Sequence, residues 1–306
     1  MPTIQYIEKN LSSDRLAIID HANEIIAEYE AEGYDLTLRQ LYYQFVARDL
    51  IPNNQKSYKR LGDIISDGRM LGLIDWNSIS DRLREVRQFR TYEGPADRIQ
   101  VAARTFMLDL WEISEQEYRP EVWVEKDALA EVVERAADKF RAPVMVCRGY
   151  MSQSAIWTAG HYRFREQVSQ GLTPVVIHLG DHDPSGIDMT RDIQERLSLF
   201  AEGEVRVERI ALNMDQVRQY NPPPNPAKIT DSRAAGYIAE HGRQSWELDA
   251  LEPRVLDAMI VEAIRKFVDT RAWKKAQQRE ADERQQLEDV SDRFADVVQF
   301  LQNDDE

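Results

Sequence analysis

From residue 121 the chain alternates short β-branched runs with amphipathic helical stretches, and that alternation most narrows what it can fold into. "EVWVE", "APVMVCRG", "TPVVIHLG" and "EVRVERIAL" read as four strands. Between them lie "DALAEVVERAADKF", "SQSAIWTAGHYRFREQV" and "GIDMTRDIQERLSLF", which carry helical periodicity; the first turns Leu129, Val132, Val133, Ala136 and Phe140 inward. Strand–helix–strand order predicts an α/β domain with a largely parallel sheet. "YNPPPNPAK" is a stiff, polyproline-like connection, and the last thirty or so residues read as a polar, acidic helical tail.

The stretch "VVIHLGDHDPSGIDM", residues 175–189, concentrates the chemistry. Val175, Val176, Ile177 and Leu179 form a buried strand, so Asp181 and Asp183 fall just past its C-terminal end, where open α/β sheets place ligands. Two carboxylates this close repel unless a cation lies between them. Three other readings of the turn exist. A calcium loop needs a preceding helix and an apolar eighth residue, whereas here a strand precedes and Asp188 fills that slot. A nucleophilic phosphatase-type Asp and a solvated turn with Asp183 or Ser185 capping the next helix remain open. Glu125 ends the first strand as Asp181 ends the third, so Glu125, Asp181 and Asp183 can converge. Oxygen donors without His or Cys select Mg²⁺ or Mn²⁺, and such ions meet phosphate oxygens.

Upstream, residues 14–31 read as a helix ended by Gly33, and Thr37 caps a helix with Leu38, Leu41, Tyr42 and Phe45 along one stripe. "IPNNQ" is a turn, and "KSYKRLGDIISDGRMLGLI" gives a second helix; the pair fits a helix-turn-helix of winged type. The net charge of −15 argues against nucleic acid, but it is unevenly spread. Between residues 36 and 90, ten bases (Arg39, Arg48, Lys56, Lys59, Arg60, Arg69, Arg82, Arg84, Arg87, Arg90) outnumber six acids, a local balance of +4. The single cysteine, Cys147, excludes an internal disulfide and a Cys-rich zinc site. With no apolar run of membrane-spanning length and no secretory-type N-terminus, a cytoplasmic location and no membrane partner are expected.

A strand-end Glu followed by D-x-D after a later strand resembles a Toprim domain. The likeness extends further: "VEKDAL" (124–129), "GDHDPSGIDM" (180–189), "CRGYMSQSA" and "WELDAL" (246–251) resemble the A subunit of topoisomerase VI and its meiotic double-strand-break relatives. "LTLRQLYYQF" resembles the Arg-x-x-Tyr-Tyr motif of that family's winged-helix domain, so the resemblance covers roughly residues 30 to 270. It implies a winged-helix domain (1–115) and a Toprim domain (116–272), with the acidic tail (273–306) lying beyond them.

The resemblance also implies a function: Mg²⁺-dependent DNA cleavage by transesterification, leaving a 5′-phosphotyrosyl link. The nucleophile corresponds to Tyr43, with Arg39 beside it; Glu125, Asp181 and Asp183 would serve the metal, and Glu125 also as acid or base. Helical spacing agrees, since Tyr43 is i+4 from Arg39 on a face away from the stripe that holds Tyr42. Lys56, Lys59, Arg60, Arg69 and Lys126 would contact DNA phosphates. Double-stranded DNA and a second copy of the chain are the implied partners, with Tyr43 of one copy meeting the metal site of the other. No Walker-type motif is present, so strand passage would need a separate ATPase partner. The alternatives are a water-using Toprim nuclease and a non-catalytic DNA-binding protein.

Overall fold

A computed structural model of the chain describes residues 3–79, 89, 91–227, 231 and 233–303. It has two compact units, one of residues 1–84 with 120–266, the other of residues 85–119 with 267–306.

The first unit is built on a four-stranded parallel sheet, as the alternation predicts. Its strands are β1 (Tyr118–Val124), β2 (Val144–Val146), β3 (Thr173–Leu179) and β4 (Arg206–Ala211), ordered β2-β1-β3-β4. Val122 lies opposite Val144, and Val175 opposite Arg206. The central strands are apolar on both faces because helices cover both. Val122, Trp123, Val124, Val175, Val176 and Ile177 are all fully buried. On one face Trp123 and Val176 meet Ile156, Phe164, Ile193 and Leu197. The helices Ala130–Asp138 and Pro253–Arg265 pack together as a second group. The edge strand β2 is only half-buried.

The N-terminal helices α1 (Ser13–Ala31), α2 (Leu38–Ala47) and α3 (Gln55–Met70) belong to this same unit. Thr37 caps α2 in a box with Gln40, as its position predicts, and Asn54 caps α3 by accepting Ser57 N–H at 2.9 Å. Ile19, Ile25, Leu41, Phe45, Leu61 and Ile64 form a shared core. Around these helices the described residues show single bridges, Gln5 to Leu71 and Leu36 to Ile79, rather than the strand pair of a wing.

In the second unit the helix Pro95–Arg104 packs on the long helix Thr270–Asp292. Trp111 meets Trp273 edge-on at 4.9 Å, and Glu280 accepts Leu108 N–H at 2.8 Å. The acidic tail is helical, as expected, but its first turns are not merely a solvated face: Trp273, Ala276 and Glu280 are buried. No helix among the described residues is long and apolar enough to cross a membrane.

Cys147 follows β2 and is buried, as its apolar neighbours predict. Burial pushes its thiol up to about 12, and the charge of Glu125 adds to the shift. At pH 8 a thiol-disulfide reagent should therefore modify the native protein roughly 10³-fold more slowly than the unfolded chain, following the thiolate fraction. Equal rates in buffer and denaturant would show that the site is open.

Candidate active site at the sheet's switch point

The chain leaves β1 for its outer neighbour β2 and leaves β3 for β4 on the other side, so the crossover direction reverses between β1 and β3. That reversal opens a crevice at the strand C-termini, the place where such sheets bind ligands. Glu125 and Asp181 sit there. Glu125 N–H extends the ladder to Leu179 O at 2.9 Å, and its carboxylate Oε2 accepts Asp181 N–H at 2.9 Å.

Each acid is held by protein donors. Asp181 Oδ1 accepts Leu248 N–H at 2.8 Å, and Oδ2 lies 3.0 Å from Lys126 Nζ. Asp183 is the N-cap of the helix Pro184–Ala201, accepting Gly186 N–H at 2.6 Å and the Ser185 hydroxyl at 2.8 Å. The capping role foreseen for this turn is therefore filled by Asp183. Among the described residues no three His, Cys, Asp or Glu side chains are gathered around one point as a ready metal cluster. The donor chemistry nonetheless fits a hard divalent ion. Burial holds both Glu125 and Asp181 above the usual carboxylate range; for Glu125 the charge of Asp183 adds, and for Asp181 the attraction of Lys126 falls short of offsetting it.

Gly186 is where the Asp181 loop and the helix touch. A Cβ there would stand 2.2 Å from the Asp181 carbonyl oxygen, and backbone cannot swing aside as a flexible side chain can. Gly186→Ala is expected to destabilise the protein by about 1–3 kcal/mol and to displace Asp181. A denaturant midpoint equal to that of the wild type would refute this. Arg209 staples the same loop, donating to the carbonyls of Gly180 (2.9 Å), Asp181 (2.6 Å), Gly186 (2.8 Å) and Leu212 (3.2 Å). His182 turns away from the two aspartates, its Nδ1 lying 2.8 Å from the Tyr237 hydroxyl.

Tyr43 reaches this region within the same chain, whereas the resemblance sets it against the metal site of a second copy. Its hydroxyl donates to Glu247 Oε2 at 2.8 Å. Lys126 Nζ meets that same oxygen at 2.9 Å and Asp249 Oδ1 at 3.2 Å, while Arg39 pairs with Glu247 and, through Nε at 2.6 Å, with Asp249. One network thus runs from Tyr43 through Glu247 and Lys126 to Asp181. Burial pushes Glu247 up, but Lys126, then Arg39, bring it down to about 2. Arg39, Tyr43, Asn53, Tyr58, Asn225 and Glu247 line a cavity of about 330 Å³ beside it.

Tyr43 is enclosed more tightly than its place on α2 alone predicts. Spacing on α2 places Tyr42 in the core and Tyr43 on a different face, yet both rings are buried to 4% exposure and meet edge-on at 5.3 Å. Tyr42 is anchored by Asn53 Oδ1 at 2.9 Å and Tyr43 by Glu247, because the 246–251 segment covers the second face of α2. Arg39, 5.8 Å from the Tyr43 ring centroid, favours the ionised phenol, but burial, Asp249 and Glu247 outweigh it and raise the Tyr43 pKa well above the usual phenol value.

The basic residues divide. Lys56, Lys59 and Arg60 are exposed on α3 around one depression with Arg15, although Arg60 also pairs with Asp14. Arg69 is turned inward, donating to Ile79 O at 2.7 Å and lying 5.8 Å from the Trp76 ring. Lys126 is committed to three carboxylates. Arg82, Arg84, Arg87 and Arg90 lie outside the described residues. Sequence reasoning did not single out Glu247, Asp249 or Arg209; the only signal for the first two was the "WELDAL" motif.

No protein-family model matches the chain, and a search of curated proteins returns no match.

Proposed function

We propose that the chain is a Mg²⁺- or Mn²⁺-dependent DNA-cleaving transesterase similar to the topoisomerase VI A subunit. One observation carries the reading: Tyr43, two cations and the strand-end acids share one network of hydrogen bonds and ion pairs at the sheet's switch point. In this reading Tyr43 Oη forms a bond to phosphorus as the P–O3′ bond breaks. The 5′ phosphate stays on the tyrosine, and the leaving oxygen takes a proton to become a 3′ hydroxyl. Arg39 and Lys126 exchange carboxylate partners for phosphate oxygens, and Glu125 and Asp181, with Asp183, would hold the metal, which when bound would supply charge neutralisation on the phosphodiester. Each chain carries its own Tyr43 beside its own acids, so two copies would make the two cuts of a duplex. Cleavage requires no ATPase; strand passage would require one from a partner.

The burial of Tyr43 favours a second reading, a Toprim-like nuclease that uses water. Plasmid incubated with Mg²⁺ or Mn²⁺, then denatured with and without protease, separates the two. Protein left on the cut ends supports transesterification, and free ends support hydrolysis.

The exposed α3 bases are the proposed DNA-binding surface. Replacing Lys56, Lys59 and Arg60 together with alanine should weaken binding across sequences. The slope of log affinity against log salt should fall by up to about 0.9 for each phosphate that is no longer neutralised. An unchanged slope in a mobility-shift titration would remove this surface.

A further inference from the structure

Resting on the transesterase reading, we propose that Glu247 is the proton acceptor for the Tyr43 phenol, and that arriving DNA phosphate is what frees it to act. A phenol that attacks phosphorus must lose its proton, and the acceptor bonded to the Tyr43 hydroxyl is Glu247 Oε2, 2.8 Å away. That geometry is within reach of direct transfer. The proton moves from Tyr43 Oη to Glu247 Oε2, the Oη–P bond forms, the P–O3′ bond breaks, and the departing oxygen is protonated by water.

The gating follows from who else holds that oxygen. Lys126 Nζ, at 2.9 Å, and Arg39 both pair with Glu247 Oε2, while Asn225 reaches Oε1 at 3.4 Å. Two cations on one carboxylate oxygen keep it ionised but weakly basic. The same two cations are the ones placed to meet a phosphodiester, so phosphate bound at the network competes for them. As Arg39 and Lys126 turn to phosphate, Glu247 loses its compensation and gains proton affinity. Asp249, paired with both cations and fully buried, adds a negative charge that strengthens the gain. The groups facing Glu247 are therefore Arg39 and Tyr43 from α2, Lys126 after β1, Asn225, and Asp249 on its own segment. Resting protein keeps its nucleophile protonated, and substrate itself starts the transfer.

The test compares wild type, Glu247→Gln and Glu247→Asp in single-turnover formation of protein-linked DNA, using the full chain, duplex oligonucleotide and Mn²⁺. Glutamine keeps the shape and an oxygen for the phenol but accepts no proton, so adduct formation should fall about 10²–10⁴-fold. Binding of the oligonucleotide and the thermal midpoint check that Glu247→Gln is folded. Glu247→Asp should recover part of the rate and keep the acidic limb of the pH–rate profile, which Glu247→Gln should lack. A substrate with sulfur at the 3′ bridging position, a better leaving group, should not rescue Glu247→Gln, because the missing step is at the nucleophile. Wild-type rates in Glu247→Gln, or full rescue by the sulfur substrate, would overturn the assignment while leaving Tyr43 as nucleophile. Cleavage by the wild type without any adduct would overturn both.

Discussion

Tyr43→Phe should bring the formation of protein-linked DNA down to background while leaving the protein folded. The substitution removes one oxygen and keeps a ring that is buried and edge-on to Tyr42. Glu247 loses the phenol but retains Lys126 and Arg39, so no buried acceptor is orphaned. The hydrogen bond given up goes to an ionised carboxylate and is worth about 1.5–3 kcal/mol, a modest shift in the unfolding midpoint. Tyr42→Phe provides the control. It gives up the bonds to Asn53 and Asn54, at a similar stability cost, but its oxygen faces no acid of the network, so cleavage should persist. Equal loss of cleavage in both variants would mean that the pair serves packing rather than chemistry.

Lys126→Met should be the most destabilising single change at neutral pH. The Lys126 side chain is 17% exposed and pairs with Asp181, Glu247 and Asp249, the last of which is 0% exposed. Removing one partner of such a buried set leaves uncompensated carboxylates, a cost of about 3–5 kcal/mol. The sign of the pH dependence follows. Without the ammonium, Asp181 and Asp249 rise further above their unfolded values and Glu247 is depressed less, so the native variant binds more protons than the native wild type. Acidification then stabilises the variant relative to wild type. In urea titrations the gap between the two should narrow from pH 7.5 to pH 5. A gap that is absent at pH 7.5, or that widens on acidification, would show that Lys126 is not the counter-charge of this cluster.

The sequence made some of this architecture legible because its signals are local. Runs such as Val175–Ile177 demand burial on both faces, which places β3, and the strand end then places Asp181. Thr37 and Asp183 cap their helices from residues three positions on. What escaped arrives over long distances in the chain. Glu247 and Asp249 reach Tyr43 and Arg39 after some two hundred intervening residues, and no periodicity announces such a meeting. The same fact explains why the second face of α2, which carries Tyr43, is also buried. A helical stripe reports the first surface a helix packs against, but α2 is covered on a second side by the 246–251 segment. Likewise residues 85–115, adjoining the N-terminal helices in sequence, fold with residues 267–306, through pairs such as Trp111 with Trp273.

The central claim is that Tyr43 becomes bonded to DNA, and one measurement meets it directly. Plasmid is incubated with the protein and Mn²⁺, denatured at once, digested with nuclease and trypsin, and the peptides are weighed by mass spectrometry. The account predicts that DNA ends stay with protein until protease is added, and that the peptide containing Tyr43 carries a nucleotide through its 5′ phosphate. Cut plasmid with free 5′ phosphates and an unmodified Tyr43 peptide would contradict it.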